Sequence, residues 1–224
     1  LSRAIAYIGY DTVNQLVLSS SILEALSVKI PSSFDINEFW KHSIGVGIAA
    51  ETISSFTRHA NPSDMFTAGL VHDMGKVAIF SISAETVESV AEHAKERKIS
   101  YFEAEQALDT PRHTLVGKLL AEKWTLPVQL QAVIKNHHQQ DSQLRGGLSG
   151  DLNNAVDIVY LANLFIHALK FGNSGHDKIL GAPKEVMERL TIDPTNDFKN
   201  LIAKIKANLD KANEFINVIC GPKV

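Results

Sequence analysis

The chain has 224 residues, 45% hydrophobic and 21% charged, with a formal net charge of −3 and a single cysteine, Cys220. This balance fits a folded domain and excludes a disordered tail, a collagenous fibre and a disulfide-stapled mini-protein. The mild acidity gives no general attraction to nucleic acid or anionic membrane, no run approaches the ~20 apolar residues a bilayer needs, and one cysteine suits a reducing compartment; a cytoplasmic location is expected.

Helical periodicity dominates from the start. Val13, Leu16, Val17, Ile22, Leu23 and Leu26 predict a helix over 11–27, and Pro31 breaks the pattern. Asp35-Ile36-Asn37-Glu38 reads as a capping box opening a helix to about residue 58, with Phe39, Val46 and Ile53 on one face. Asn61-Pro62-Ser63 punctuates next, with Ser63 as the expected cap of a helix through Met65, Ala68, Leu70 and Val71. Residues 83–98 predict a charged, exposed helix, and Ser100 to Glu103 form a second capping-box pattern. Thr110-Pro111 is expected to put proline at the first helical position of a helix ending near Trp124. Leu126-Pro127 starts another through Leu130, Val133 and Ile134.

Residues 139–151 are polar and glycine-rich but lack the lysine and Ser/Thr of a phosphate-binding loop, so they read as a connector. The most apolar helix is expected over 154–171, a loop over 172–183, and two last helices over 184–190 and 198–219. No internal repeat interrupts this order. The expected fold is an all-α multi-helix bundle. Trp40 and Trp124 are expected to anchor its core.

Nine histidines matter only if they converge. His72-Asp73 could flank one divalent ion, although neighbouring positions on a helix diverge by about 100°; alone the dipeptide is a weak signal, and a surface pair is the commoner outcome. His137-His138 could bind metal or simply complement the dipole at a helix C-terminus. His113 and His42 lie near the starts of their helices, and Glu38 stands one turn before His42. His167, one turn after Asn163, reads as a satisfied core histidine; His59, His93 and His176 receive no role.

The order of these residues is more specific than any one of them. His42, His72-Asp73, His113 and His137-His138, each on its own predicted helix, resemble the HD superfamily of metal-dependent phosphohydrolases. Lys76, closing the run His72-Asp73-Met74-Gly75-Lys76, is similar to the HD-GYP branch. The closer resemblance is to the HDOD family, the HD-related output domain of bacterial signalling proteins. It is carried by Ala4 to Gly9 with Val13 to Leu18, Phe39-Trp40-Lys41-His42-Ser43, Ala68 to Lys76, Glu105 with His113 and Val116-Gly117, and Trp124-Thr125-Leu126-Pro127 ahead of His137-His138.

The resemblance implies an HD-type bundle over residues 1–170, with 171–224 as C-terminal helices packing on the same domain. The chain opens on Leu1 with the family's front helices absent, which suggests a fragment. The implied metal ligands are His42, His72, Asp73, His113, His137 and His138, holding Fe, Mn, Ni or Zn. The implied function is signal transduction through unidentified signalling partners, with neither general nucleic-acid nor membrane binding. The alternative is a phosphohydrolase acting on a phosphodiester such as a cyclic dinucleotide, in which Lys76 steadies the phosphate. A scaffold with every histidine hydrogen-bonded is the third reading.

Two departures bear on the choice. Gln139-Gln140 follows the paired histidines, and Gly-Tyr-Pro is absent from the chain. The superfamily's last ligating aspartate aligns with Asn163, a neutral carbonyl in place of a carboxylate, and Asp157 stands too far along the helix to replace it.

Overall fold

The computed structural model describes residues 34–220, so the helix expected over 11–27 lies outside the described residues. Among the described residues the regular elements are all helical. Local side chains set most of their ends. Asp35 accepts from the N–H groups of Asn37 and Glu38 to open α1 (Ile36–Thr57), which Arg58 closes in the left-handed conformation. Glu38 faces Lys41 at 3.7 Å instead of returning to the cap.

The cap of α2 (Pro62–Val71) is Asn61, not Ser63: the Asn61 side chain takes the N–H groups of Ser63 and Asp64, and Pro62 fills the position where a missing N–H costs nothing. Next comes α3 (Met74–Ile82), a helix beyond those the sequence predicts. Ser83 caps α4 (Ala84–Arg97), and Ser100 and Glu103 complete the reciprocal box that opens α5 (Tyr101–Ala107).

Pro111 stands outside α6 (His113–Lys123), contrary to expectation. Glu105 supplies the reason, because its carboxylate takes the His113 backbone N–H at 2.8 Å and caps the helix from a neighbouring element. After α7 (Val128–Asn136), the connector contains a short 3-10 turn, Ser142–Arg145. It leads into α8 (Gly150–Ala168), which begins earlier than its apolar pattern because Ser149 accepts the Leu152 N–H. Two helices follow, α9 (Lys184–Arg189) and α10 (Phe198–Cys220).

The centre of the bundle is α1, which packs against α2, α8 and α10. Ile44, Val46, Ala49 and Ile53 of α1 are fully buried, as are Val156, Ile158, Leu161 and Ile166 of α8. Each such large aliphatic side chain contributes about 1.5–3 kcal/mol of burial. Val186, Leu190, Leu201 and Ile205 from the last two helices join the same apolar cluster. A second cluster joins Phe39 and Trp40 to Val77, Phe80, Val87, Val90 and Tyr101. Trp124 is not a core anchor; it is 50% exposed, at the C-cap of α6 beyond Ala121, the last buried residue of that helix.

Glycines allow the closest approaches. A Cβ on Gly75 would stand 1.9 Å from the His113 carbonyl oxygen, so α3 and α6 meet backbone to backbone beside two candidate ligands. Gly172, at φ +72, fits against the His42 backbone N at a spot where a Cβ would stand 2.2 Å away. The neighbouring Asn173 N–H donates to the Glu38 carbonyl, and Lys178 bonds Glu103 at 2.9 Å. The loop between α8 and α9 is thereby strapped across α1 and α5.

Gly75→Ala is expected to cost about 1–3 kcal/mol or more, as overpacking does where backbone has no room to move. A urea midpoint unchanged from wild type would contradict that contact.

Candidate metal centre

The His72-Asp73 pair lies where a helix stops and restarts. Val71 ends α2, Asp73 takes φ −99 and ψ 13, and Met74 begins α3. This break, which no periodicity announces, brings His72 Nε2 within 3.4 Å of Asp73 Oδ2. Around the pair, α1 supplies His42, the first residue of α6 is His113, and the end of α7 supplies His137 and His138. All six expected ligands thus converge, in two overlapping groups that share Asp73: Asp73, His113, His137 and His138, and His42, His72 and Asp73.

The hydrogen bonds of the imidazoles decide what this convergence means. His72 Nδ1 donates to the Gly69 carbonyl at 2.6 Å, and His137 Nδ1 donates to the Ile134 carbonyl at 3.0 Å. His113 Nδ1 donates to Glu105 Oε2 at 2.8 Å. A neutral imidazole with its proton on Nδ1 presents a lone pair on Nε2. Yet His113 Nε2 is 3.3 Å from His137 Nε2 and 3.2 Å from both His138 Nε2 and Asp73 Oδ1.

Lone pairs cannot hold one another at that distance; a cation or a proton must lie among them. The buried Asp73 Oδ1 and His72 Nε2 have no hydrogen-bond partner. Imidazole nitrogens and one carboxylate suit a divalent transition metal, and the outer Nδ1 bonds are the usual supports of metal-bound histidine. The residues present therefore fit a metal.

Burial disfavours the charged form of these rings. It lowers His137 to about 4, and lowers His42 and His138 well below the usual value, with neighbouring histidines adding to the effect. Burial alone would raise Asp73, but Lys76 and His72, with the His113 and His137 rings close against it, hold it well below the usual carboxylate range. His113 moves the other way: burial opposes it, while Glu105 and Asp73 raise it. Burial thus favours neutral imidazole at His42, His137 and His138 beside one ionised carboxylate, the state in which such groups bind metal.

Lys76 is buried at 2% exposed, donating to Asp73 Oδ2 at 2.7 Å and to the Ser174 carbonyl at 2.9 Å, with Tyr101 beneath its ammonium. Asn163 meets His42 Nε2 at 3.0 Å. Asp157 is far from this role, held by Arg145 and Arg189, each at 2.6 Å. Those two arginines also grip the carbonyls of Gln139 and Gln140, directly after the paired histidines. Sequence reasoning missed this clasp, because an Arg-Asp-Arg group assembled from three separate elements leaves no spacing signal.

It also missed two histidines. His167 packs against His42 with ring centroids 4.5 Å apart, and His176, from the strapped loop, stacks on His167 at 4.1 Å. The Asn163–His167 spacing could have placed the first; nothing in the sequence could have placed the second. Together with His137, His138, Asn163 and Phe102, they line a cavity of about 180 Å3 over the centre.

Residues 1–140 match the HDOD domain family. The chain belongs to that family. Asn163, His167 and His176 lie beyond the matched stretch. An HDOD domain protein of unknown function from Geobacter sulfurreducens has a similar fold, with a TM-score of 0.76 at 23% identity, covering 96% of this chain and 73% of that one. A candidate phosphohydrolase from Shewanella amazonensis gives 0.59 at 19% identity, covering 96% and 76%. A candidate signal transduction protein from Marinobacter aquaeolei gives 0.65 at 16% identity, covering 95% and 46%. An uncharacterized Treponema pallidum protein is 24% identical over 139 residues, 62% of this chain; the match spans 26% of that protein's length. No described helix is long and apolar enough to cross a membrane.

Two outcomes follow for this HDOD chain. His137 and His176, both lowered to about 4 by burial, bind fewer protons folded than unfolded between pH 4 and 6.5. Their contribution to stability is present above pH 6.5 and lost as pH falls toward 4. His42, His138 and His167 act in the same direction, while His113 opposes them, its contribution fading as pH rises through its raised value. The metal-free protein should show a falling urea midpoint from pH 7 to 4.5; a flat profile would contradict buried neutral rings. Glu105→Gln should weaken metal binding by roughly 10–100-fold, as loss of an outer-layer partner does. Competition against a chelating dye measures it, and unchanged affinity would remove Glu105 from the centre.

Proposed function

We propose that this chain is a bacterial signal-transduction module that works by binding partner proteins, with its HD-type metal centre retained as a structural element. The observation that carries this reading is how deeply the ligand set is buried. Asp73 and the His113 and His137 rings are all but fully buried. The cavity above them, about 180 Å3, falls below the ~300–1,000 Å3 of pockets that hold small molecules.

Asn163 supports the same reading, since a neutral amide stands where a second carboxylate would help activate water. Surface chemistry supports a partner. Leu115 and Leu119, one turn apart on α6, are exposed, and Trp124 follows them half-exposed. Aromatic and aliphatic side chains of this kind are what protein interfaces bury.

The ligand constellation also favours a second reading, a metal-dependent phosphohydrolase on a phosphodiester, with the same residues holding Mn, Fe, Ni or Zn. The structural likeness to a candidate phosphohydrolase points the same way. Lys76 would then steady the phosphate with its third N–H, the other two being given to Asp73 and the Ser174 carbonyl.

Elemental analysis of chelator-free protein, paired with hydrolysis assays on a cyclic dinucleotide and a generic phosphodiester, separates these readings. Bound metal without turnover is expected. Turnover that vanishes in Asp73→Ala and rises in Asn163→Asp would replace the binding module with the enzyme. Absence of metal, and of affinity for added Mn, Fe, Ni or Zn, would sink the centre itself.

A further inference from the structure

The two ligand groups that share Asp73 are not equivalent. On one side, Asp73 Oδ1 has no hydrogen-bond partner, and it faces His113 and His137 at 3.2 and 3.4 Å. Both of these rings carry their proton on Nδ1, tied to Glu105 and to Ile134, with Nε2 turned inward. His138 Nε2 completes that side at 3.2 Å from His113 Nε2. Four donor atoms therefore surround one point, and the Nε2 atoms of neutral His113 and His137 bring no hydrogen to it.

On the other side, Asp73 Oδ2 already accepts from the Lys76 ammonium at 2.7 Å, which leaves the unpartnered His72 Nε2, 3.4 Å from the same oxygen, as a single inward lone pair there. A full positive charge thus occupies the oxygen on which a second ion would depend, and two cations there would repel each other at low dielectric. His42 is also turned the wrong way. Its Nε2 lies 3.0 Å from the Asn163 side-chain oxygen, which only accepts, so the His42 proton sits on Nε2. Presenting a lone pair there would move that proton to Nδ1, a buried atom with no acceptor. An unpaired buried N–H costs more than an unpaired lone pair. The opposite orientation of the Asn163 amide would create that orphaned N–H, so it is disfavoured for the same reason.

We infer that this chain holds one divalent transition-metal ion, on Asp73 Oδ1, His113, His137 and His138, and that Lys76 and the His42–Asn163 pair stand in place of a second. The inference rests on the metal-centre reading above and narrows it: His42 is a hydrogen-bonding partner of Asn163 and not a ligand. Lys76 takes the part of the second cation in neutralising Asp73.

The test is stoichiometry on the full chain, stripped of metal, reloaded with excess Zn or Co, desalted and measured by elemental analysis and calorimetry. One equivalent is expected. His138→Ala, at the half-buried edge of the group, should lose it, whereas His42→Ala should keep one equivalent with Kd within threefold of wild type. Two equivalents in the wild-type protein would overturn the single-ion inference and leave the metal centre standing. Zero equivalents would overturn both. Nitrogen NMR of the imidazoles keeps the question open to test should His42→Ala fail to fold. His42 should carry its proton on Nε2 before and after loading, while His113 and His137 shift on loading. A ligand-type shift at His42 would overturn the inference.

Discussion

Everything at the centre of this protein depends on one buried carboxylate. Asp73 is 1% exposed, and an ionised group in that position is tolerated only if it is paired and hydrogen-bonded. Lys76 neutralises one oxygen, and histidine nitrogens from α6 and α7 gather round the other. The break between α2 and α3 is what turns Asp73 inward beside His72. A continuous helix would have sent the two side chains in different directions.

The rest of the bundle holds that arrangement still. Gly75 lets α3 touch the backbone of His113, and Glu105 fixes both the N–H and the ring of the same residue. Arg145 and Arg189, joined through Asp157, hold the chain just beyond His138 onto α8. Burying Arg145 with Asp157 is expensive in desolvation, so carbonyl partners that use the remaining donors are required. Gln139 and Gln140 supply those carbonyls. The loop after α8 closes the opposite face, carrying Ser174 to Lys76 and His176 to His167.

The same arrangement separates what an HD-type ligand set needs to bind an ion from what it needs to act on a substrate. A metal centre needs donors with fixed tautomers and an outer layer to hold them, and the residues around Asp73, His113 and His137 meet both needs. Catalysis needs in addition an open position and room for substrate. Asn163, the strapped loop and the small cavity work against that. Within one fold, binding of an ion and use of an ion are separable properties.

The sequence by itself determined the helical class, most helix limits and the ordered histidines, because these follow from short-range rules. Asp35, Ser83 and Ser100 cap helices through side chains within a few residues, and apolar periodicity marks the buried faces of α1 and α8. Where a distant residue intervened, local reading failed: Glu105 moved the start of α6 past Pro111, and Trp124 fell outside the core. Only the tertiary structure decided which ring nitrogen faces inward, that Lys76 spends its charge on Asp73, and that His176 comes back to the centre from a loop. The same holds for the part Asp157 plays between Arg145 and Arg189. The reason is physical. A lone pair's direction and a buried charge's partner depend on groups distant along the chain, and spacing alone carries no record of them.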